Sequence, residues 1–267
     1  MADARDRLIV ALDVPSAAEA HRIVASIGES ASIYKVGKQL FTAEGPQVVR
    51  DLVASGREVF LDLKYHDIPS TVAAAVRAAS ALGVSMLTVH ASGGLRMLKA
   101  AVEAARDAWT APRSSVARPN VARPPSAADS QLATRNSQLL VLAVTVLTSL
   151  NDEDLQEIGV SGRVLDHCLR LAALARTAGC DGIICSAREV RELRRELGSG
   201  FAIVTPGIRP AGSARADQER VMTPAEAIAA GASHIVVGRP ITASPDPAAA
   251  ARRILEEIAS ACETVTT

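Results

Sequence analysis

The chain has 267 residues and a formal net charge of zero, with 29 basic and 29 acidic side chains and no basic run, which excludes the charge pattern of a typical nucleic-acid-binding protein. Hydrophobic residues make up 48% of the sequence but aromatic residues only 2%, so the core must be built from Ala, Val, Leu and Ile. This composition is typical of parallel strands covered by helices, and the length suits one α/β barrel.

The start of the sequence and the cysteines predict a cytoplasmic protein. The segment "MADARDRLIVALD" passes from polar residues into a strand-like stretch without the apolar region and cleavage site of a signal peptide. The four cysteines form no C-x-x-C pair, and a chain of this size needs no disulfide scaffold. Since no uncharged apolar run reaches about 18 residues, we also expect no membrane span.

Short apolar segments rich in β-formers alternate along the chain with Ala-rich segments of helical period. Strands are predicted at 7–13, 32–37, 58–64, 85–90, 139–147, 181–185, 201–206 and 234–238. Helices are predicted between them, for example at 16–28, 70–83, 93–108, 186–198 and 223–231, several of which open with Ser or Thr and close with Gly.

Eight strand–helix units predict a (β/α)8 TIM barrel, a single domain that spans residues 1–267. A doubly wound sheet is the alternative fold, but it would normally use fewer strands and place a Gly-rich turn after the first one. Here "ALDVPS" follows the first predicted strand, and the sequence contains no G-x-G-x-x-G.

One segment breaks the alternation. Residues 109–138 contain the near-duplication "SVARP" and "NVARP", clustered prolines and almost no large apolar side chains. Such a composition buries too little surface to offset the entropy of ordering, so we expect a flexible surface insertion. A lid or partner-binding role is the alternative, although the segment offers no residues suited to anchoring a partner.

The third predicted strand runs into "FLDLKYHDIPST", residues 60–71, which places charges of both signs at a strand end. Because side chains alternate along a strand, Asp62 and Lys64 share one face. In a barrel this face points inward, at the carboxyl end where barrel enzymes hold their active sites. Asp67 lies beyond the strand, in the loop before Pro69. A structural ion pair inside the barrel is the alternative interpretation.

Other polar residues fall at the ends of predicted strands. Asp13 closes the first, Lys35 lies within the second, His90 closes the fourth, and Thr148 and Ser149 follow the fifth. Each has an ordinary structural explanation by itself, such as a turn residue or a buried histidine. Together they would surround one mouth of the barrel, where lysines flanked by acids remain protonated.

The seventh and eighth strands are followed by "TPGIRP" and "VGRPI". The loops after these two strands form the usual phosphate site of a TIM barrel, built from backbone N–H groups, glycine and often arginine. Gly238 and Arg239 fit this role, with Arg209 in the loop before them and Gln218 able to reach across. Glycines alone are weak indicators, since any tight turn after a strand favours them.

These motifs together resemble the orotidine 5'-monophosphate decarboxylase family. "DLKYHDIPST" is similar to that family's D-x-K-x-x-D-I-x-x-T signature, and "ALD", "YKVG", "VLTSL", "PGIRP", "DQERVMTP" and "VGRPI" resemble its other blocks in the same order. The resemblance covers nearly the whole chain except 109–138. It implies a cofactor-free homodimeric (β/α)8 enzyme that converts orotidine 5'-monophosphate to uridine 5'-monophosphate and CO2, the last step of pyrimidine nucleotide synthesis.

The resemblance also implies roles for single residues. Lys64 would be the proton donor, Asp62 would lie against the leaving carboxylate, and Lys35 would bridge the acids and the ribose. Asp67 would enter the active site of the neighbouring chain. The remaining expected substrate contacts are Asp13 and Thr71 at the ribose hydroxyls, with Thr71 serving the partner's site, Thr148 and Ser149 at the pyrimidine, and Arg209, Gln218, Gly238 and Arg239 at the phosphate.

Two other functions stay open. A related phosphosugar decarboxylase, similar to the keto-gulonate phosphate decarboxylases, would share the D-x-K-x-x-D strand but bind magnesium through an acid where this chain has Lys35, which cannot ligate a cation. A non-catalytic nucleotide-binding barrel would hold the charges as structural pairs. Since no His, Cys or acid cluster at ligand spacing lies outside the Asp–Lys residues, we expect neither a metal nor a cofactor.

Overall fold

The computed structural model describes residues 4–110, 139–210 and 222–264. Eight parallel strands close into a barrel in sequence order, each paired with its neighbours and β1 with β8. They are β1 (Leu8–Ala11), β2 (Ile33–Gly37), β3 (Glu58–Tyr65), β4 (Met86–His90), β5 (Leu140–Val144), β6 (Gly182–Ile184), β7 (Ala202–Thr205) and β8 (His234–Val237). The eight predicted strands and the (β/α)8 barrel are therefore confirmed, although most of the strands are shorter than predicted.

Helices cover the outside of the barrel between the strands. They are α1 (Ala17–Ile27), α2 (Lys38–Glu44), α3 (Gln47–Ala54), α4 (Pro69–Ala81), α5 (Gly94–Thr110), α6 (Asp152–Glu157), α7 (Val164–Ala178), α8 (Val190–Leu197), α9 (Pro224–Ala229), α10 (Arg239–Thr242) and α11 (Pro247–Thr264). The predicted caps form at α1, where Ser16 accepts a hydrogen bond from the Glu19 N–H, and at α9, where Thr223 and Glu226 form a capping box. Throughout the described ranges, no helix is long and apolar enough to cross a membrane.

The segment predicted as a surface insertion, 109–138, precedes β5, but its first two residues, 109 and 110, form the end of α5 rather than part of an insertion. Of this segment, residues 111–138 lie outside the described residues. Its role as an insertion, and the boundaries of the domain at 1–267, therefore stay predictions.

Two apolar layers form the core. Outward-facing strand residues such as Val10, Tyr34 and Leu61 pack with the helices in one large cluster. A second, smaller cluster contains strand residues alone and fills the barrel interior: Ile9, Ala11, Ile33, Phe60, Met86, Leu142, Val144, Ile184, Ala202, Val204 and Val236. Since side chains alternate along a strand, the positions two residues beyond Ala11, Ile33, Phe60 and Met86 continue this inner face toward the carboxyl end. Those positions are Asp13, Lys35, Asp62 and Thr88.

At the opposite, amino end of the barrel, Arg194 of α8 holds the segments that lead into β7 and β8. Its guanidinium donates hydrogen bonds to the carbonyl oxygens of Gly198, Phe201 and Gly231 and to Ser233 Oγ. The planar fork of arginine suits several acceptors at once. These bonds position the starts of β7 and β8, and they involve no residue at the carboxyl end of the barrel.

We expect Arg194→Ala to lower the free energy of unfolding by about 2–4 kcal/mol, because it leaves the part-buried carbonyl groups of Phe201 and Gly231 without their charged donor. Urea unfolding followed by circular dichroism measures the change. Arg195→Ala is the matched control, since Arg195 is exposed on the same helix, and we expect an effect within about 0.5 kcal/mol. Equal losses in the two variants would contradict this account of the amino end.

Candidate active site

Four charged side chains gather at the carboxyl end of the first three strands. Lys35 Nζ lies 2.7 Å from Asp13 Oδ1 and 3.7 Å from Asp62 Oδ2. Lys64 Nζ lies 2.8 Å from both carboxylate oxygens of Asp62. The structure thus places Asp13, Lys35, Asp62 and Lys64 in a row of alternating charge, which we call the charge array.

The centre of the charge array is largely shielded from water. The side chains of Lys35 and Asp62 are 10% and 13% exposed, whereas that of Asp13 at the rim is 56% exposed. Burial acts to raise the pKa of Asp62, but the positive charges of Lys35 and Lys64 outweigh it and leave the pKa below its ordinary value. Asp62 is therefore a carboxylate at neutral pH, with an ammonium group on either side.

The backbone of β3 is irregular where the charge array begins. Leu61 lies opposite Leu87 of β4, but the next aligned pair is Tyr65 with Val89, so residues 62–64 bulge out of register. Lys64 has a φ of 54°, and it is the only residue other than glycine with a positive φ among those described. Strained backbone of this kind is concentrated at functional sites. At this bulge, Lys64 Nζ donates hydrogen bonds to both carboxylate oxygens of Asp62.

Two residues of the site were missed by the sequence reasoning. Thr88 is fully buried and lies against the bulge, where its hydroxyl contacts both Asp62 and Lys64. Gly37 leaves room for the charge array, because a Cβ there would lie 2.8 Å from Asp13 Oδ1 and 3.0 Å from Lys35 Nζ. The alternation of Met86, Thr88 and His90 along β4 could have shown that Thr88 faces the barrel interior. No signal in the sequence distinguishes Gly37 from an ordinary turn glycine.

Asp67 and Thr71 do not join the charge array within the chain. Asp67 is exposed, and its Oδ1 accepts a 2.6 Å hydrogen bond from the N–H of Ile68. Thr71 is exposed in the first turn of α4. Ile68, between them, is 64% exposed, which is unusual for a large apolar side chain. Within the described ranges, no recorded hydrogen bond or ion pair links Asp67 with Lys64.

Two histidines lie beside the charge array: His66, which directly follows β3, and His90, the last residue of β4. The rings of His66 and His90 are 5.4 Å apart between centroids and tilted by 38°. Burial, followed by the nearby charge of His66, lowers the pKa of His90. His90 is therefore a neutral imidazole at pH 7, as a half-buried histidine among basic groups must be.

Further candidate residues follow β5, β7 and β8 at the same mouth. Thr148 is half-buried and Ser149 exposed, in a turn closed by the bond from the Leu150 N–H to the Leu147 carbonyl. Arg209 donates its backbone N–H to the Met222 carbonyl at 3.1 Å, which ties the loop after β7 to the start of α9. Gly238 and Arg239 lie at the start of α10, with the arginine exposed. Gln218 falls in 211–221, outside the described residues.

Comparison with known proteins identifies the family of the chain. The sequence profile of the Orotidine 5'-phosphate decarboxylase / HUMPS family matches residues 6–254. The chain belongs to this family. The name of this family combines two groups of proteins. Membership alone therefore does not decide which of their activities this chain has.

Individual relatives within the family are named for a single enzyme. The chain is 50% identical over 255 residues to the orotidine 5'-phosphate decarboxylase of Halorhodospira halophila, which covers 96% of this chain and 97% of the relative. It is also 50% identical over 256 residues to that of Moorella thermoacetica, covering 96% and 93% of the two chains. The crystal structure of orotidine 5'-phosphate decarboxylase from Lactobacillus acidophilus superposes with a TM-score of 0.77 at 36% identity, over 95% of this chain and 99% of that one.

Proposed function

We propose that this protein decarboxylates orotidine 5'-monophosphate to uridine 5'-monophosphate and CO2 in pyrimidine biosynthesis, without a metal or cofactor, and that Lys64 protonates C6. The observation that carries the proposal is the charge array, in which Lys64 Nζ lies 2.8 Å from both oxygens of Asp62. The relatives that share about half of the sequence are named for the same activity. We also propose a cytoplasmic location, which is consistent with four reduced cysteines, three of them buried.

The reaction needs a fixed positive charge and a proton at one carbon. When the bond from C6 to the carboxylate breaks, its electron pair stays on C6, where no adjacent carbonyl can delocalise it. The Lys64 ammonium would stabilise this pair and then transfer one N–H proton to C6. The neutral amine regains a proton from water after the product leaves. Asp62, held anionic, would keep the Lys64 ammonium in place through the contacts of its two carboxylate oxygens with Lys64 Nζ.

Asp62 would also act on the substrate directly. A substrate carboxylate placed beside an anionic Asp62 is repelled in the ground state, and the repulsion disappears as neutral CO2 forms. Binding energy from remote groups must offset that repulsion. We assign this task to the phosphate, bound by Arg209, Gly238 and Arg239 together with Gln218. Asp13 would hold a ribose hydroxyl through its position at the exposed rim, and Thr148 and Ser149 would face the pyrimidine.

Lys35 argues against the magnesium-dependent alternative. Its ammonium lies between Asp13, at 2.7 Å, and Asp62, at 3.7 Å, and so takes the place between the two acids that a divalent cation would need. A cation beside an ammonium group meets strong repulsion, and lysine offers no lone pair while protonated. The donor set of this mouth therefore favours metal-free chemistry.

We further propose that the active unit is a homodimer with shared sites. Asp67 and Thr71 point into solvent from a single chain, next to the exposed Ile68. The family resemblance carries this proposal, and the exposure of Ile68 leaves the segment accessible to a second chain. In a two-fold dimer, Asp67 and Thr71 of each chain would complete the charge array and the ribose contacts of the other.

The direct test of the proposed activity is the loss of the ultraviolet absorbance of orotidine 5'-monophosphate with purified protein in the presence of EDTA. We expect full turnover, because no step uses a metal. Activity that disappears with the chelator and returns with magnesium would favour the phosphosugar decarboxylase alternative. Nucleotide binding without turnover would favour the non-catalytic barrel.

Lys64→Ala should lower kcat by at least about 1,000-fold, because it removes the proton donor and a carbanion-stabilising charge together. Binding of uridine 5'-monophosphate, measured by calorimetry, should persist, since the phosphate contacts remain. Lys38→Ala is the matched control, because Lys38 is an exposed lysine at the same end of the barrel. A Lys64→Ala protein that keeps more than about a tenth of wild-type turnover would rule out this role.

Shared sites predict complementation between two inactive proteins. In a heterodimer of a Lys64→Ala chain and an Asp67→Ala chain, one site carries both defects and the other carries neither. Free exchange of chains should therefore restore activity to about a quarter of the wild-type value per site, if the sites are independent. If heterodimers form, as shown by native mass spectrometry, but no activity returns, Asp67 serves its own chain and the shared-site proposal fails.

A further inference from the structure

The bulge in β3 is held by one residue of β4. Leu61 pairs with Leu87 and Tyr65 with Val89, so the three residues 62–64 face the single residue Thr88. A bulge interrupts the ladder of backbone hydrogen bonds and leaves an N–H without its usual partner. In this barrel the interruption coincides with Asp62 and Lys64, the two residues at the inner end of the charge array.

The Thr88 hydroxyl replaces the missing partner and reaches the carboxylate as well. Its Oγ1 accepts a 2.8 Å hydrogen bond from the backbone N–H of Lys64 and donates one of 3.0 Å to Asp62 Oδ1. Thr88 is fully buried, so no solvent molecule competes with either bond. A hydroxyl is one of the few side-chain groups that can accept and donate at the same atom.

We propose that Thr88 is a positioning residue that fixes the backbone of Lys64 and the carboxylate of Asp62 in one arrangement, so that the Lys64 ammonium is aimed at the reacting carbon. The inference rests on the proposed function, because it assigns Thr88 to the same proton transfer. Thr88 itself acts only through Asp62 and Lys64, which it contacts through two hydrogen bonds.

The strain at Lys64 explains why such a residue is needed. A lysine with a φ of 54° pays a conformational cost that the surrounding structure must offset. The bond from the Lys64 N–H to Thr88 stabilises this backbone, and the bond to Asp62 Oδ1 orients the carboxylate whose two oxygens hold Lys64 Nζ. Without the Thr88 hydroxyl, the backbone of Lys64 can shift, and so can the Asp62 carboxylate that accepts hydrogen bonds from Lys64 Nζ.

The test compares Thr88→Val, which removes the hydroxyl at nearly the same volume, with Thr88→Ser, which keeps it. We expect Thr88→Val to lower kcat by about 10- to 100-fold, the loss typical of a reacting group displaced by an ångström or less. The dissociation constant of uridine 5'-monophosphate should change by less than about threefold, since the phosphate contacts are untouched. Thr88→Ser should keep kcat within about threefold of the wild type.

Thr205→Val is the matched control for the loss of a buried threonine hydroxyl. Thr205 is fully buried near the end of β7 and donates to the Cys185 carbonyl at 2.9 Å, on the outer side of the barrel. We expect it to keep wild-type kcat. If Thr88→Val does not fold, Thr88→Cys gives the same test with a weaker hydrogen-bonding group, and kcat should fall by at least about threefold.

The pH profile separates positioning from a general structural role. Asp62 faces the ammonium groups of Lys35 and Lys64 and the imidazole of His90 in addition to Thr88. The bond from Thr88 helps to lower the pKa of Asp62, so its loss should raise that pKa and move the acid limb of kcat to higher pH. Thr88→Ser and Thr205→Val should leave the acid limb in place.

The inference is overturned if folded Thr88→Val keeps wild-type kcat, if Thr88→Ser loses as much kcat as Thr88→Val, or if Thr205→Val loses as much kcat as Thr88→Val. An unmoved acid limb in Thr88→Val also contradicts it. The proposed function fails in a different way, by absence of CO2 release from orotidine 5'-monophosphate in the wild-type protein, so the two failures are distinguishable.

Discussion

The mouth of this barrel is organised around one carboxylate. Asp62 lies on the inner face of β3, where burial disfavours its charge, and it remains ionised because Lys35 and Lys64 lie on either side. Removal of either lysine would leave an uncompensated charge in the barrel, so each member of the charge array depends on the others. The same electrostatic condition would keep an ammonium group available as the proposed proton donor, and Lys35 occupies the space between the two acids that a divalent cation would need.

The barrel supplies this carboxylate with rigid support. Apolar residues fill the interior up to Ala11, Ile33, Phe60 and Met86, and a polar layer begins two residues beyond each of them, charged after the first three and a threonine after Met86. Gly37 leaves the volume that the Asp13–Lys35 pair occupies. The contacts of Arg194, which we expect to stabilise the fold, thus lie at the amino end of the strands, and the charge array lies at the carboxyl end.

The sequence predicted the barrel because period and composition report directly on local structure, and it placed Asp13, Lys35, Asp62 and Lys64 at one mouth because parallel strands end on the same side. It could not predict the bulge, since strict alternation already put Asp62 and Lys64 on one face and gave no reason for a φ of 54° at Lys64. Alternation along β4 could have placed Thr88 on the inner face, but its contacts with Lys64 and Asp62 depend on the register between two strands. The proposed contribution of Asp67 would depend on a second chain, which no pattern within one chain determines.

In the proposed reaction, the charge array stabilises negative charge at C6 and Lys64 carries the proton. By microscopic reversibility, a site with this property must also remove the C6 hydrogen of the product. Incubation of uridine 5'-monophosphate with the protein in D2O and EDTA, followed by proton NMR, measures this exchange without any contribution from CO2 release. The account predicts loss of the C6 proton signal with the wild-type protein and none with Lys64→Ala. Exchange at equal rates in the two proteins, or no exchange in the wild type, would contradict it.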